Sequence, residues 1–197
     1  MYPQFIRSVD SALFGSTLTL WKANKAVQKK IDECSLGQFE DDERLKHSKQ
    51  ELDAMLTLSI QRLERIENKA MGTLLGVAVA IAVFGTTSGL FGKDGLLEAY
   101  TSFVRNVAAV GLLFAMLYLF SSGLLALGAY KIGQIYRPTL LDRAPVTDLT
   151  TEKRIILYSI EQNQRAATLR SNRLSASFAC LRNGLVIVLV LGVLIVS

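Results

Sequence analysis

Two long uncharged stretches constrain this chain more than any other feature. Residues 70–92, 23 in all, carry no charged side chain, and a lysine stands at each end. Residues 106–130 form a second stretch of 25 uncharged residues. A helix needs about 20 apolar residues to cross a membrane, whereas a soluble helix of this length would show a polar face. The sequence therefore predicts two transmembrane helices.

A third apolar block, GLVIVLVLGVLIVS, occupies residues 184–197. As a helix its 14 residues would reach about 21 Å, which is short of the ~30 Å hydrocarbon core. Either the block is a short span, or it ends a helix that begins near Leu174 and carries Arg182 into the membrane. A soluble strand is disfavoured because the chain carries no other strand signal, so we expect a third membrane helix.

The predicted fold is an all-α membrane protein in which long cytoplasmic helices continue into two or three transmembrane helices. The expected divisions are cytoplasmic or interfacial helices in residues 1–69, a transmembrane hairpin in 70–131 with spans at about 70–92 and 106–130, a cytoplasmic connector and helix in 132–181, and a C-terminal transmembrane helix in 182–197.

The distribution of charge predicts the orientation of the spans. Residues 131–197 hold nine Lys and Arg against four Asp and Glu, and this accounts for the whole net charge of +5. Basic residues precede the first span and follow the second, while the loop at 93–105 is balanced. Because positive residues favour the cytoplasmic side, we expect a cytoplasmic N-terminus. Cys34 and Cys180 would then be free thiols.

The N-terminal third is expected to be helical. Apolar residues repeat at helical spacing in residues 5–14, and Trp21 then opens a run with Lys22, Lys25, Lys29 and Lys30. Two interpretations stay open for this run. It is either an interfacial helix at the depth of lipid headgroups or an ordinary amphipathic helix in a cytoplasmic bundle.

Two rods are expected on the cytoplasmic side. One helix resumes at Glu40, with no Gly or Pro before the first span, and its narrow apolar stripe is typical of a coiled coil or bundle. A second helix begins with Asp148 or Thr150 as its N-cap and continues into the third block. The apolar stripe of the first of these helices consists of Leu45, Leu52, Leu56, Leu63 and Ile66.

Nothing in the sequence indicates an enzyme. Motifs for nucleotide-binding loops, zinc proteases, redox dithiols and hydrolase nucleophiles are missing. The single histidine, His47, cannot supply a catalytic triad, and the acids at 40–43 are typical of a solvated helix start. We therefore expect no catalysis, no cofactor and no metal.

Small residues in the first span predict close helix packing. Gly72 and Gly76 are four residues apart, as are Gly85 and Gly89. Such faces let helices approach closely where lipid gives no hydrophobic drive. The pattern is compatible with packing within one chain or between subunits.

Arg182 and Asn183 are the most informative polar pair, because arginine near the membrane is costly unless it faces protein, water or headgroups. One interpretation is an anchor at the cytoplasmic interface. The other is the mouth of an aqueous pore lined by copies of this helix, which requires an oligomer. The pore candidates are Arg182, Asn183, Val186, Val190 and Val193.

Three further arginines, Arg165, Arg170 and Arg173, lie in a run without acids from residue 162 to 182. They are either positive-inside anchors or a binding site for a phosphate-bearing ligand, a nucleotide or an anionic lipid. On a helix, Arg165 would share one side with Asn172, and Arg170 and Arg173 would lie together on another side.

Several phrases together resemble the SLATT-type membrane effectors of bacterial antiphage defence, including the membrane components of Hailong-type systems. They are LWKANKAVQKKI at 20–31, RLERIENKA at 62–70, NQRAATLRSNRL at 163–174 and LRNGL at 181–185. The resemblance implies an oligomeric channel in a bacterial inner membrane that depolarises the cell, gated by a nucleotide or short oligonucleotide from a partner nucleotidyltransferase. It carries over no binding residue.

The sequence therefore predicts a homo-oligomeric, ligand-gated ion channel in the membrane. The alternative is a non-conducting membrane scaffold or accessory subunit that recruits a soluble partner through its apolar stripe.

Overall fold

The computed structural model describes residues 17–87, 101–131, 135–138 and 148–196. We number the α-helices of these ranges in chain order as α1 (Thr17–Asp32), α2 (Lys49–Thr87), α3 (Ser102–Lys131) and α4 (Leu149–Val196). Two short 3-10 helices, Leu36–Phe39 and Glu43–Lys46, connect α1 to α2. No strand occurs within the described ranges, and the predicted all-helical architecture is confirmed.

Three of the helices, α2, α3 and α4, are long and apolar enough to cross a membrane. The C-terminal apolar block ends the single helix α4, so it is not an isolated short segment. The block and Arg182 therefore belong to one continuous helix, which begins at Leu149. The helix expected at residues 5–14 and the loop expected between the spans, up to residue 100, lie outside the described residues.

The two predicted rods are both present. Helix α2 has 39 residues and α4 has 48, which correspond to lengths of about 58 Å and 72 Å at the usual rise. Neither helix breaks at Lys69 or at Arg182, where the sequence passes from charged to apolar. Each polar segment is therefore rigidly joined to the apolar segment that follows it.

Side chains fix the start of each rod. Ser48 and Glu51 form a reciprocal capping box: the Glu51 N–H donates to the Ser48 hydroxyl at 3.2 Å, and the Ser48 N–H donates to the Glu51 carboxylate at 2.8 Å. At α4 the carboxylate of Asp148 accepts from the N–H groups of Thr150 and Thr151. The prediction of an N-cap at this point is confirmed, and Asp148 is the capping residue.

The prediction that the second helix resumes at Glu40 is wrong, because α2 begins at Lys49. Asp42 caps the second 3-10 helix instead, and its carboxylate accepts from the Arg44 N–H at 2.9 Å and from the Arg44 guanidinium. This local bonding competes with helix formation. Phe39, at the end of the first 3-10 helix, is buried in the core.

Helix α4 is the central element, since it packs on each of the other three helices. The apolar stripe predicted on the first rod packs against it, with Leu52, Leu56 and Leu63 buried and Leu45 and Ile66 partly buried. Further along, small residues bring the rods together. The buried residues, in order along the bundle, are Phe39, Leu52, Leu56, Ile156, Leu157 and Ile160, then Leu63, Ala166 and Ala167, then Ala70, Ala129 and Leu174.

The Asp42–Arg44 contact predicts a dependence of stability on acid. The hydrogen bond from the Arg44 side chain holds the pKa of Asp42 below its usual value. A depressed carboxyl pKa stabilises the fold above the unfolded-state pKa of about 3.9, and this contribution is lost as pH falls through the lower folded value. We expect Asp42→Asn to melt at a lower temperature than the wild type at pH 7. The difference in melting temperature between the two proteins should become smaller in strong acid. Thermal unfolding from pH 7 to pH 2 measures this, and a difference independent of pH would contradict it.

Candidate functional site

The three arginines proposed as ligands point to three different neighbours. The Arg165 guanidinium donates to the Lys30 carbonyl on α1 and pairs with Glu161 at 3.0 Å. Arg170 pairs with Glu67 on α2, and the Arg173 guanidinium lies 3.5 Å from the Gly128 carbonyl on α3. The three therefore do not converge on one site, and only Arg173 lines a groove that could admit a ligand.

Arg170 is the most deeply buried charged residue of the described chain. Its side chain is 1% exposed, against 26% for its partner Glu67. A guanidinium in such a place needs a carboxylate, because burial of a charge costs several kcal/mol. Arg170 therefore joins α4 to α2 through an ion pair, and Glu67 takes the place that a ligand would need at its guanidinium.

Further buried polar residues, which the sequence analysis did not single out, also connect α4 to its neighbours through hydrogen bonds. The Asn163 amide donates to the Ser59 hydroxyl and to the Tyr136 carbonyl, and it accepts from the Tyr136 N–H at 2.9 Å. Ser177 and Ser122 bond to each other at 3.0 Å between α4 and α3. The signal in the sequence was the occurrence of uncharged polar residues on the face of α4 that also carries its buried Ile and Leu.

A groove of about 390 Å³ opens where α1 crosses α3 and α4. Asn24 and Asn172 bridge its wall through a 2.8 Å hydrogen bond, and Lys25 and Arg173 supply its cations. The Lys25 ammonium lies 6.0 Å from the centre of the Trp21 ring, and this ring is 62% exposed. The lining residues are Leu20, Trp21, Asn24, Lys25, Gln28, Leu124, Leu125, Gly128, Leu169, Asn172, Arg173 and Ala176.

The pore candidates lie on the outward face of α4. Arg182, Val186, Val190 and Val193 are exposed, and Asn183 is half-buried. The Arg182 guanidinium donates to the Asn183 side-chain oxygen at 3.2 Å, and no ion pair of Arg182 with a carboxylate occurs in the described part of the chain. This face is uncovered within one copy of the protein.

Packing of Gly184 sets the level of Arg182 along the bundle. A Cβ on Gly184 would lie 3.3 Å from Ala115, Tyr118 and Leu119, which surround the centre of the uncharged stretch 106–130. Arg182 is two residues, or about 3 Å along the axis, closer to the Lys131 end of α3, and it lies about 17 Å from that end. The backbone at Arg182 is therefore level with the middle of the apolar stretch of α3 and not with its edge.

The predicted glycine face is exposed within the chain. A Cβ added at Gly72 or Gly76 would meet nothing within 4 Å. Gly85 lies in α2 at a point where side chains are not described, and Gly89 is outside the described residues. The close approaches within the chain occur elsewhere, at Gly184, Gly111, Gly123 and Gly128.

Other reactive groups form no recognisable centre. Cys34 and Cys180 are free thiols, as predicted, and burial raises the pKa of Cys34. His47 lies 3.5 Å from Glu51 beside the start of α2. Within the described ranges no group of His, Cys, Asp and Glu could hold a metal ion.

Comparison of the chain with protein-family models, with curated proteins and with solved structures finds no match in any of the three. The resemblance to SLATT-type effectors therefore stays a prediction.

Proposed function

We propose that several copies of this protein assemble in a membrane around a water-filled pathway lined by α4, and that the assembly conducts ions. The observation that carries the proposal is Arg182, an outward-facing cation level with the middle of an apolar bundle. An arginine that faces lipid at that depth is costly. Its side chain can extend toward the interface, but it covers only part of the distance. A wet lumen between subunits removes this cost.

The surface of the bundle supports an assembly of copies. Val186, Val190 and Val193 are 51%, 57% and 70% exposed, and they follow Arg182 along one side of α4. Gly72 and Gly76 offer a second face on which another helix could approach closely. Three thin helices cannot enclose a pore in one chain, so closed symmetry among copies is required.

We further propose that the protein resides in a bacterial cell membrane with its N-terminus in the cytoplasm, as the basic residues flanking the apolar stretches favour. The resemblance supports a role in antiphage defence, with a nucleotide signal from a partner nucleotidyltransferase as the gate. The rigid continuation of α2 and α4 across Lys69 and Arg182 supports transmission of a rearrangement from the polar ends of the rods to the lumen.

Charge reversal at Arg182 tests the lumen directly. In planar bilayers under a KCl gradient, we expect the wild-type assembly to favour anions, because a ring of guanidinium groups attracts them. Arg182→Glu is expected to change the sign of the reversal potential toward cation preference. Arg65→Glu is the matched control, because it reverses an exposed charge on the polar part of α2 and should leave selectivity unchanged.

The absence of conductance from purified protein, with or without candidate nucleotides, would contradict the channel proposal. Conductance with unaltered selectivity in Arg182→Glu would place this residue outside the lumen. If Arg182→Glu changes only insertion or stability and no conductance is found, the scaffold alternative is supported.

A further inference from the structure

The groove between α1, α3 and α4 changes from apolar to polar along its length. Helix α1 runs antiparallel to α4, because Asn24 bonds Asn172 while Ile31 accepts from Gln162. Most apolar lining residues lie toward the middle of α3, and the polar ones lie toward its Lys131 end. The first group is Leu20, Leu124, Leu125 and Ala176, and the second is Asn24, Lys25, Gln28, Asn172 and Arg173. Leu169 is an apolar exception at the polar end.

The polar end of the groove is cationic. Lys25 and Arg173 face it from two different helices, and none of its described lining residues is acidic. Gly128 leaves room for the Arg173 guanidinium, since a Cβ there would lie 3.1 Å from Nη1. A neighbouring hollow on α1 is of mixed charge, because Asp32 lines it with Lys22 and Lys29, and Lys29 pairs with Glu33 at 3.5 Å. Within the groove itself, an anion would meet positive charge from both walls, from Lys25 and from Arg173.

Trp21 marks the level of the groove. Its ring is largely exposed at the mouth, and tryptophan is enriched where a membrane meets water. The groove lies at the end of the uncharged stretch of α3, where lipid phosphates would be found if this stretch spans a bilayer. Its volume of about 390 Å³ is at the low end for ligand sites and suits a headgroup with the first part of its chains.

We propose that this groove binds an anionic phospholipid, with the phosphate between Lys25 and Arg173 and an acyl chain along Leu124 and Leu125. The bound lipid would fasten α1 to the α3–α4 pair. The inference needs these helices to lie in a membrane, but it does not depend on ion conduction. Its failure would leave the channel proposal intact.

Fluorescence of Trp21, the single tryptophan of the chain, measures occupancy of the groove. The full chain is reconstituted in phosphatidylcholine vesicles with a minor fraction of phosphatidylglycerol, with bromine on the acyl chains of one lipid at a time. We expect brominated phosphatidylglycerol to quench Trp21 several-fold more, per molecule, than brominated phosphatidylcholine. Each cation removed should reduce this preference about fivefold.

Matched variants separate a built site from general surface charge. Lys25→Gln, at an exposed position where folding is not at risk, and Lys25→Gln with Arg173→Gln are expected to lower the preference in steps. Arg173→Lys should retain it. Lys30→Gln removes the same charge from α1 without touching the groove, so the preference should persist. Circular dichroism checks that each variant stays helical.

Four results would overturn the proposal. They are equal quenching by the two lipids in the wild type, an unchanged preference in the double variant, a loss in Lys30→Gln equal to that in Lys25→Gln, and displacement of the lipid by glycerol 3-phosphate or inorganic phosphate. The last result would identify the site as one for a soluble phosphate, because a lipid held also by its acyl chain should resist such competitors.

Discussion

Replacement of Glu67 by glutamine is expected to lower the free energy of unfolding by about 2–4 kcal/mol. The substitution keeps the shape of the side chain but removes the negative charge that faces the Arg170 guanidinium. Arg170 is 1% exposed, so water cannot take over the role of the carboxylate. Because Glu67 itself is partly exposed, we expect the loss of unfolding free energy to be smaller than the largest losses known for fully buried ion pairs.

Glu64→Gln supplies the matched control for this substitution. Glu64 also pairs with an arginine across the bundle, Arg137, at 3.3 Å, but both side chains are about half exposed. Exposed pairs contribute about 0–1 kcal/mol, so this variant should unfold close to the wild type. Denaturant unfolding of the purified protein in detergent, followed by helicity, compares the two. If both variants lose the same free energy of unfolding, burial of Arg170 would not explain the contribution of the Glu67–Arg170 ion pair.

The second large effect is expected at Gly184, where the backbone of α4 packs against α3. A Cβ at this position would stand 3.3 Å from the Ala115 carbonyl oxygen and from side-chain atoms of Tyr118 and Leu119. The carbonyl belongs to helix backbone and cannot move aside, so Gly184→Leu must push the helices apart. Overpacking of this kind costs about 1–3 kcal/mol, and we expect the upper end because a leucine adds a whole side chain.

Gly192→Leu, two turns further along the same helix, is the control for Gly184→Leu. A Cβ at Gly192 would meet nothing within 4 Å, so little change in stability is expected. Thermal unfolding in detergent is again the measurement. If both variants lose the same stability, helix propensity or detergent contact would explain the losses, and the close approach of α4 to α3 would not.

Local patterns in the sequence were sufficient to predict most of the helical architecture. The uncharged stretch 106–130 predicts an apolar helix by its length alone, and α3 contains it entirely. Asp148 predicts a helix start because its carboxylate serves N–H groups only two and three residues away. The prediction for the segment after Glu40 is wrong because the Asp42 carboxylate bonds the Arg44 N–H and guanidinium, and this local bonding competes with the helix.

The candidate site shows the limit of sequence reasoning more clearly. Helical spacing placed Arg170 and Arg173 on one side of the helix, but Arg170 pairs with Glu67 on α2 and Arg173 faces Gly128 on α3. It did not reveal that Glu67, 103 residues before Arg170, already occupies that guanidinium. The predicted glycines Gly72 and Gly76 are exposed, while Gly184 makes the close contact, because only the neighbouring helix decides which small residue is needed.

The two uncharged stretches, 70–92 and 106–130, determined by themselves that this is a helical protein with helices long enough to span a membrane. They could do so because length and apolarity are local properties of a chain. The tertiary structure decided how the third apolar block is used. It joined this block to α4, placed Arg182 level with the middle of the bundle, and brought Lys25 and Arg173 to one groove. Such placements depend on which helices pack together and at what height, and contacts between distant residues set both.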